Sequence, residues 1–274
     1  MNRPEKSAGF TQKSFGFRKA EAGERTRLVG QVFASVAKRY DLMNDLMSLG
    51  VHRLWKADFV RRVDPQPGEK ILDLAGGTGD IAMLLSRKMG TRDWGSGTGK
   101  KNSQSLVPNP QSPITVCDIN PEMLEAGKDR AADRGFFGKI EWVEGNAEDL
   151  PFEDSQFDAV TIAFGLRNVT HIGQALAEAR RVLKPGGRFF CLEFSRPALP
   201  ILEKAYDSYS FSVLPFLGKK VAGDEAAYRY LAESIRAFPE QEKLAGLMRE
   251  AGFNAVRWRN LSLGIAAVHW GYKA

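Results

Sequence analysis

The spacing of apolar positions changes period repeatedly along this chain. EKILDLAGG, SPITVCDIN, KIEWVEGN, FDAVTIAFG and GRFFCLEFS are short apolar runs closed by turn residues, the pattern of buried strands. Between them, DIAMLLSRKM, PEMLEAGKDRAADRG and IGQALAEARRVLKPGG carry apolar residues at helical spacing. Such alternation predicts a doubly wound, mostly parallel α/β sheet. PEQEKLAGLMREAGF then reads as a helix, and FNAVRWRNLS with GIAAVHWGYKA as an antiparallel C-terminal hairpin, bringing the sheet to seven strands. Upstream, LVGQVFASVAKRYDLMNDLMSLGVHRLWKADFVRRV has helical spacing and is expected to form an N-terminal helical cap.

These elements divide the chain into a basic, flexible arm at 1–26 and a single domain at 27–274, whose first part, 27–63, is the cap. Residues 91–113, TRDWGSGTGKKNSQSLVPNPQSP, are nearly devoid of apolar content and read as a mobile surface insertion. Its GTGKK is no phosphate loop: Trp94 stands where the first Gly is required and Lys101 where Ser or Thr should bind magnesium.

A length of 274 residues with 43% hydrophobic content suffices for one sizeable α/β domain. Residues 1–62 hold 13 Lys or Arg against 6 Asp or Glu, so the net charge of +6 is concentrated there, as a solvated arm and helix faces. There is no apolar run of 18 residues and no secretory signal, so an intracellular protein is expected. Cys117 and Cys191 each lie in an apolar run without a neighbouring Cys or His, which suits buried reduced thiols and no metal site.

LDLAGGTGD, residues 72–80, places glycines between a strand and a helix N-terminus, where a ligand can approach backbone N–H groups. GTGDIA even fits the dinucleotide pattern, although that match alone is weak and a ligand-free tight turn also fits it. Three acidic features accompany the loop: Asp73 inside the first strand, Asp118 ending the second and NAEDLPF after the third. An acidic residue at the end of the second strand accepts hydrogen bonds from ribose hydroxyls, in NAD and S-adenosylmethionine sites alike.

DLAGGTGD, Asp118, GNAEDLPF and the LKPGG turn together resemble the class I, Rossmann-like S-adenosylmethionine-dependent methyltransferases over roughly residues 65–195. KRYDLMNDLMSLGVHRLWK, FGLRNVT and LEFSRP are more specific and resemble the UbiE family of ubiquinone and menaquinone C-methyltransferases. The resemblance covers nearly the whole chain apart from residues 1–14 and the insertion. It implies S-adenosyl-L-methionine as cofactor, S-adenosyl-L-homocysteine as product, and a cofactor site at Asp73, Gly77, Thr78, Gly79, Asp118, Asn146, Ala147 and Ala163. At Ala163 members often carry Ser, so a hydroxyl contact is expected to be missing here. A polyprenylated quinol is the implied acceptor, either 2-methoxy-6-polyprenyl-1,4-benzoquinol or demethylmenaquinol. The implied location is the cytoplasm, with peripheral contact to the inner face of the membrane or to a quinone-biosynthesis complex; a homodimer is left open.

Carbon methylation requires donor and acceptor held in line, water excluded and a ring made nucleophilic by loss of a quinol proton. Arg167 and Asn168, at the mouth of the fourth strand, are the expected stabilisers of the phenolate, with water taking the proton because Arg is a poor base. Tyr40 and Asp45 are the candidates to close over the substrate, against simple helix packing. His52 and His171 are read as cap or surface residues rather than bases. The aromatics of 200–235 are weighed as a lid and tail channel against ordinary core. A nucleic-acid partner is not expected despite a pI near 9.3. FGLR stands where adenine-N6 enzymes carry Asn-Pro-Pro-aromatic, and neither cysteine has the setting of cytosine-C5 enzymes.

Overall fold

Seven strands form one sheet: β1 (Ile71–Leu74), β2 (Ile114–Asp118), β3 (Ile140–Glu144), β4 (Phe157–Ala163), β5 (Leu183–Phe194), β6 (Asn254–Leu261) and β7 (Ala266–Tyr272). Their spatial order is β3-β2-β1-β4-β5-β7-β6. The computed structural model describes residues 14–15, 18–19, 22–36, 45, 48, 50–93, 113–197 and 225–274. Strand β1 pairs in parallel with β2 on one side and β4 on the other, so the strand order reverses at β1. The C-terminal hairpin is present as expected. Strand β7 is its antiparallel member and inserts between β5 and β6, with Cys191 opposite His269 and Trp258 opposite the same histidine.

The helices are α1 (Ala22–Val36), α2 (His52–Val63), α3 (Asp80–Asp93), α4 (Pro121–Asp133), α5 (Ile172–Val182), α6 (Glu225–Ala237) and α7 (Gln241–Glu250). Helix α4 starts where Asn120 accepts from Met123 N–H at 2.9 Å and Pro121 supplies a preset φ. In α5, Ile172, Ala175, Leu176, Ala179 and Val182 form one buried stripe.

Because side chains alternate across a strand, neighbouring positions enter different cores. Ile71, Val116, Phe190 and Leu192 join Trp55, Phe59, Ile81, Leu85 and Leu231 on one face. Leu72, Leu74, Cys117, Phe189 and Cys191 join Leu176, Leu244 and Met248 on the other. The charged edge strand β6 is largely exposed, which discourages further pairing.

Three boundaries differ from the sequence reading. Helix α1 begins inside the expected arm at 1–26, and its Arg25 is only 1% exposed. Helix α3 continues to Asp93, taking the first residues of the expected insertion; 94–112 lie outside the described residues. The helix before LKPGG stops at Val182, and LKPGG opens β5. Tyr40 and the 200–224 part of the expected lid lie outside the described residues. No helix among the described residues is long and apolar enough to cross a membrane.

Candidate active site

Packing alone demands the glycines after β1. A Cβ at Gly76 would lie 2.8 Å from Asp73 Oδ2, and one at Gly79 only 2.5 Å from the Trp142 ring. Gly77 adopts φ +53° and donates its N–H to Asp118 Oδ2 at 2.9 Å, tying the loop to the end of β2. Asp118 Oδ1 accepts from Asn120 N–H at 2.9 Å. Burial pushes the Asp118 carboxyl up, against these N–H groups.

Beyond the loop, at the carboxyl ends of the strands where their order reverses, a cleft encloses about 770 Å³ of space including its open mouth. Gly77, Asp118, Ile119, Asn120, Asn146 and Ala147 belong to its wall, with Asn168 and Thr170 from the loop after β4. Helix α1 covers it with Val29 and Gly30, and the Gly30 carbonyl accepts from Asn120 Nδ2 at 3.2 Å. Of the expected cofactor residues, this cleft therefore gathers Gly77, Asp118, Asn146 and Ala147.

A second cavity of about 330 Å³ shares Ala75 and Phe164 with the first and takes in Asp73, Thr78 and Ala163. Both shared residues have positive φ, +49° and +57°, local strain at the junction of the two spaces. Lys56 and Arg130 each pair with Asp80 beside it, at 2.6 and 2.5 Å, and Arg130 also donates to Thr78 Oγ1. Burial works to raise the Asp80 carboxyl, but Lys56 and Arg130 outweigh it and hold it low. Asp73 accepts from Thr161 Oγ1 at 2.9 Å through Oδ1, while Oδ2 has no hydrogen-bond partner among the described residues. Burial pushes this carboxyl up to about 7 against the Thr161 hydroxyl. Gly79 lines neither space and serves the contact with Trp142.

Arg167, expected beside the acceptor, is buried in an ion pair. Its guanidinium lines neither cavity; it is wholly buried, with Nη1 2.6 Å from both Glu193 Oε1 and the Phe164 carbonyl. Burial raises the Glu193 carboxyl and Arg167 draws it back. The pair braces the turn that carries Asn168. Asp45, expected over the substrate, instead pairs with His52 at 2.8 Å and Arg53 at 2.7 Å and lines neither cavity. His52 is buried, not a surface residue. His171 precedes α5 and its Nδ1 lies 2.5 Å from Glu148 Oε2. Glu148 Oε1 accepts from the N–H groups of Thr170 and His171, fixing the loop.

Residues 19–273 match the model of the ubiE/COQ5 methyltransferase family. The chain belongs to that family. Over 94% of its length it is 51% identical to a 2-methoxy-6-polyprenyl-1,4-benzoquinol methylase, mitochondrial, from Danio rerio, covering 84% of that protein. It is 49% identical over 97% of its length to a ubiquinone/menaquinone biosynthesis C-methyltransferase UbiE from Brucella abortus, covering 93% of it. Among solved structures, a SAM-dependent methyltransferase from Aquifex aeolicus aligns with TM-score 0.54 at 15% identity, over 88% of this chain and 98% of that one, which shows the class I fold.

Two contacts of this ubiE/COQ5 methyltransferase escaped the sequence reading, which placed Arg25 in the arm and weighed Tyr230 only among the aromatics of 200–235. Arg25 donates to the carbonyls of Arg167 and Asn168 at 2.9 and 2.7 Å and to Thr170 Oγ1 at 3.1 Å. Tyr230 donates to Asn168 Oδ1 at 3.1 Å. Arg25 shares a helical stripe with Val29 and Val32, one turn apart, a signal hidden by assigning it to the arm.

Proposed function

We propose that this chain transfers a methyl group from S-adenosyl-L-methionine to a ring carbon of a polyprenylated benzoquinol or demethylmenaquinol. The observation that carries the reading is a cleft with a ribose-type acceptor, Asp118, on one wall and a carboxamide, Asn168, on the other. The residues fit the cofactor: the Asp118 carboxylate suits ribose hydroxyls, Asn146 and Ala147 suit a purine edge, and the buried Asp73 Oδ2 suits an ammonium. Bound there, S-adenosyl-L-methionine supplies an electrophilic methyl group on a sulfonium sulfur.

Every remaining task falls to the chain. Asp118 and the Gly77 turn fix the donor's sugar, and Asp73, paired only through Oδ1, anchors a cationic end in the second cavity. Phe164, packed on Phe194 at 4.9 Å between ring centroids, keeps the junction apolar and dry. Asn168 donates to the acceptor's oxygen as charge develops on it, while the Arg167–Glu193 pair holds that turn rigid. Water takes the hydroxyl proton whose loss leaves charge on that oxygen; after methylation the ring proton also goes to water as aromaticity returns, and the oxygen is reprotonated. A lipid-soluble acceptor places the enzyme at a membrane surface as a peripheral protein.

The test is transfer from trideuteromethyl-labelled cofactor to short-tailed quinols of both kinds, read by mass spectrometry. A product heavier by one trideuteromethyl group, borne on a ring carbon, is expected. No transfer to either quinol, by a protein that S-adenosyl-L-homocysteine still protects from melting, would remove the acceptor assignment.

A further inference from the structure

Asn168 is held on two sides by elements far away in the chain. Arg25, on α1, takes its backbone carbonyl at 2.7 Å, and Tyr230, on α6, donates to its side-chain Oδ1 at 3.1 Å. Both partners are nearly inaccessible, Arg25 at 1% and Tyr230 at 3% exposure. Asn168 itself is half-buried on the cleft wall.

A carboxamide has one acceptor atom and one donor group at opposite corners of a plane, so fixing one fixes the other. With Oδ1 turned to the Tyr230 hydroxyl, Nδ2 is left to face away from α6. Asparagine without such a partner presents oxygen or nitrogen with little preference, and a carbonyl oxygen facing a developing phenolate would repel it. We infer that Tyr230 is a positioning residue of the acceptor side: it orients the Asn168 carboxamide so that N–H, and not C=O, meets the oxygen of the aromatic acceptor, with Arg25 holding the backbone beneath it. This rests on the placement of the acceptor beside Asn168 given above. Burial raises the Tyr230 phenol above its ordinary value, against Arg25 and Arg167, so the hydroxyl stays protonated and able to donate across the working pH. The arrangement also ties α1 and α6 to one residue, α1 through its backbone and α6 through its side chain.

The experiment is a double-variant cycle on the full chain: Tyr230→Phe, Asn168→Ala and both together, with kcat and KM for a short-tailed quinol and calorimetry of S-adenosyl-L-homocysteine. Tyr230→Phe removes one neutral hydrogen bond and is expected to lower kcat about tenfold. KM for the cofactor and S-adenosyl-L-homocysteine affinity should stay unchanged. In the Asn168→Ala background the same substitution should alter kcat by less than about twofold, because its effect passes through the missing carboxamide. Arg25→Lys, which keeps the cation, should retain folding and report the backbone half of the clamp through a smaller fall in kcat. Equal loss from Tyr230→Phe in both backgrounds, or no loss in the first, would overturn the inference while leaving the acceptor placement standing. Full activity of Asn168→Ala would overturn both.

Discussion

The proposed donor side and the proposed acceptor side of this site are built by different means. On the proposed donor side, Gly77 and Asp118 in the cleft and Asp73 in the adjoining cavity come from β1, the turn after it and β2, and their contacts are short links such as Gly77 N–H to Asp118. On the acceptor side, Asn168 depends on Arg25, Tyr230 and the Arg167–Glu193 pair, drawn from α1, α6 and β5. The donor side follows once the sheet forms. The acceptor side requires several helices to be docked at once, so its geometry is more easily lost and more easily regulated.

The largest effect expected from breaking this division is on stability. Arg167→Ala leaves the Glu193 carboxylate buried without its guanidinium and should cost about 3–5 kcal/mol by chemical denaturation. Arg167→Met combined with Glu193→Gln should recover most of that. Unchanged stability in Arg167→Ala would return the guanidinium to the acceptor.

Next comes the cofactor-free protein's response to pH. The folded-state Asp73 carboxyl sits at about 7, above its value in an unfolded chain, so the native state keeps a proton that the unfolded state has lost. Stability from this group is complete below about pH 4 and gone above about pH 7. Asp73→Asn should therefore be more stable than the parent by on the order of 2–4 kcal/mol at pH 8, the gap narrowing toward pH 5. Parallel urea-denaturation curves at all pH values would show that Asp73 is ionised throughout. Asp118→Ala has the smallest expected effect, a loss of roughly 1.5–3 kcal/mol in S-adenosyl-L-homocysteine affinity by calorimetry with the melting temperature little changed. A collapsed fold would mean that its link to Gly77 is structural first.

The same division explains what the sequence made legible. Strand and helix periods gave the sheet and hairpin because apolar alternation is local. The glycine loop and Asp118 stood out because their spacing is dictated by one β-α-β unit. The partner of Arg167 was hidden for a matching reason: its position after β4 is visible in FGLRNVT, but the Glu193 that pairs with it lies 26 residues on, and nothing in the string shows which way a side chain turns. Arg25 and Tyr230 sit 143 and 62 residues from Asn168, beyond the reach of any periodicity. The His52 ring is held by Asp45, seven residues upstream of the start of α2, a local contact that periodicity does not show.

The central claim is that donor binding and acceptor activation reside on opposite walls of one cleft. It is tested most directly by single-turnover methyl transfer to a short-tailed quinol by Asn168→Ala, beside S-adenosyl-L-homocysteine calorimetry on the same preparation. The predicted result is a rate lower by about 10²–10³ with unaltered cofactor affinity, as expected for loss of one preorganised donor at the reacting oxygen. A normal rate, or a slow rate that tracks an equal loss of cofactor affinity, would contradict it.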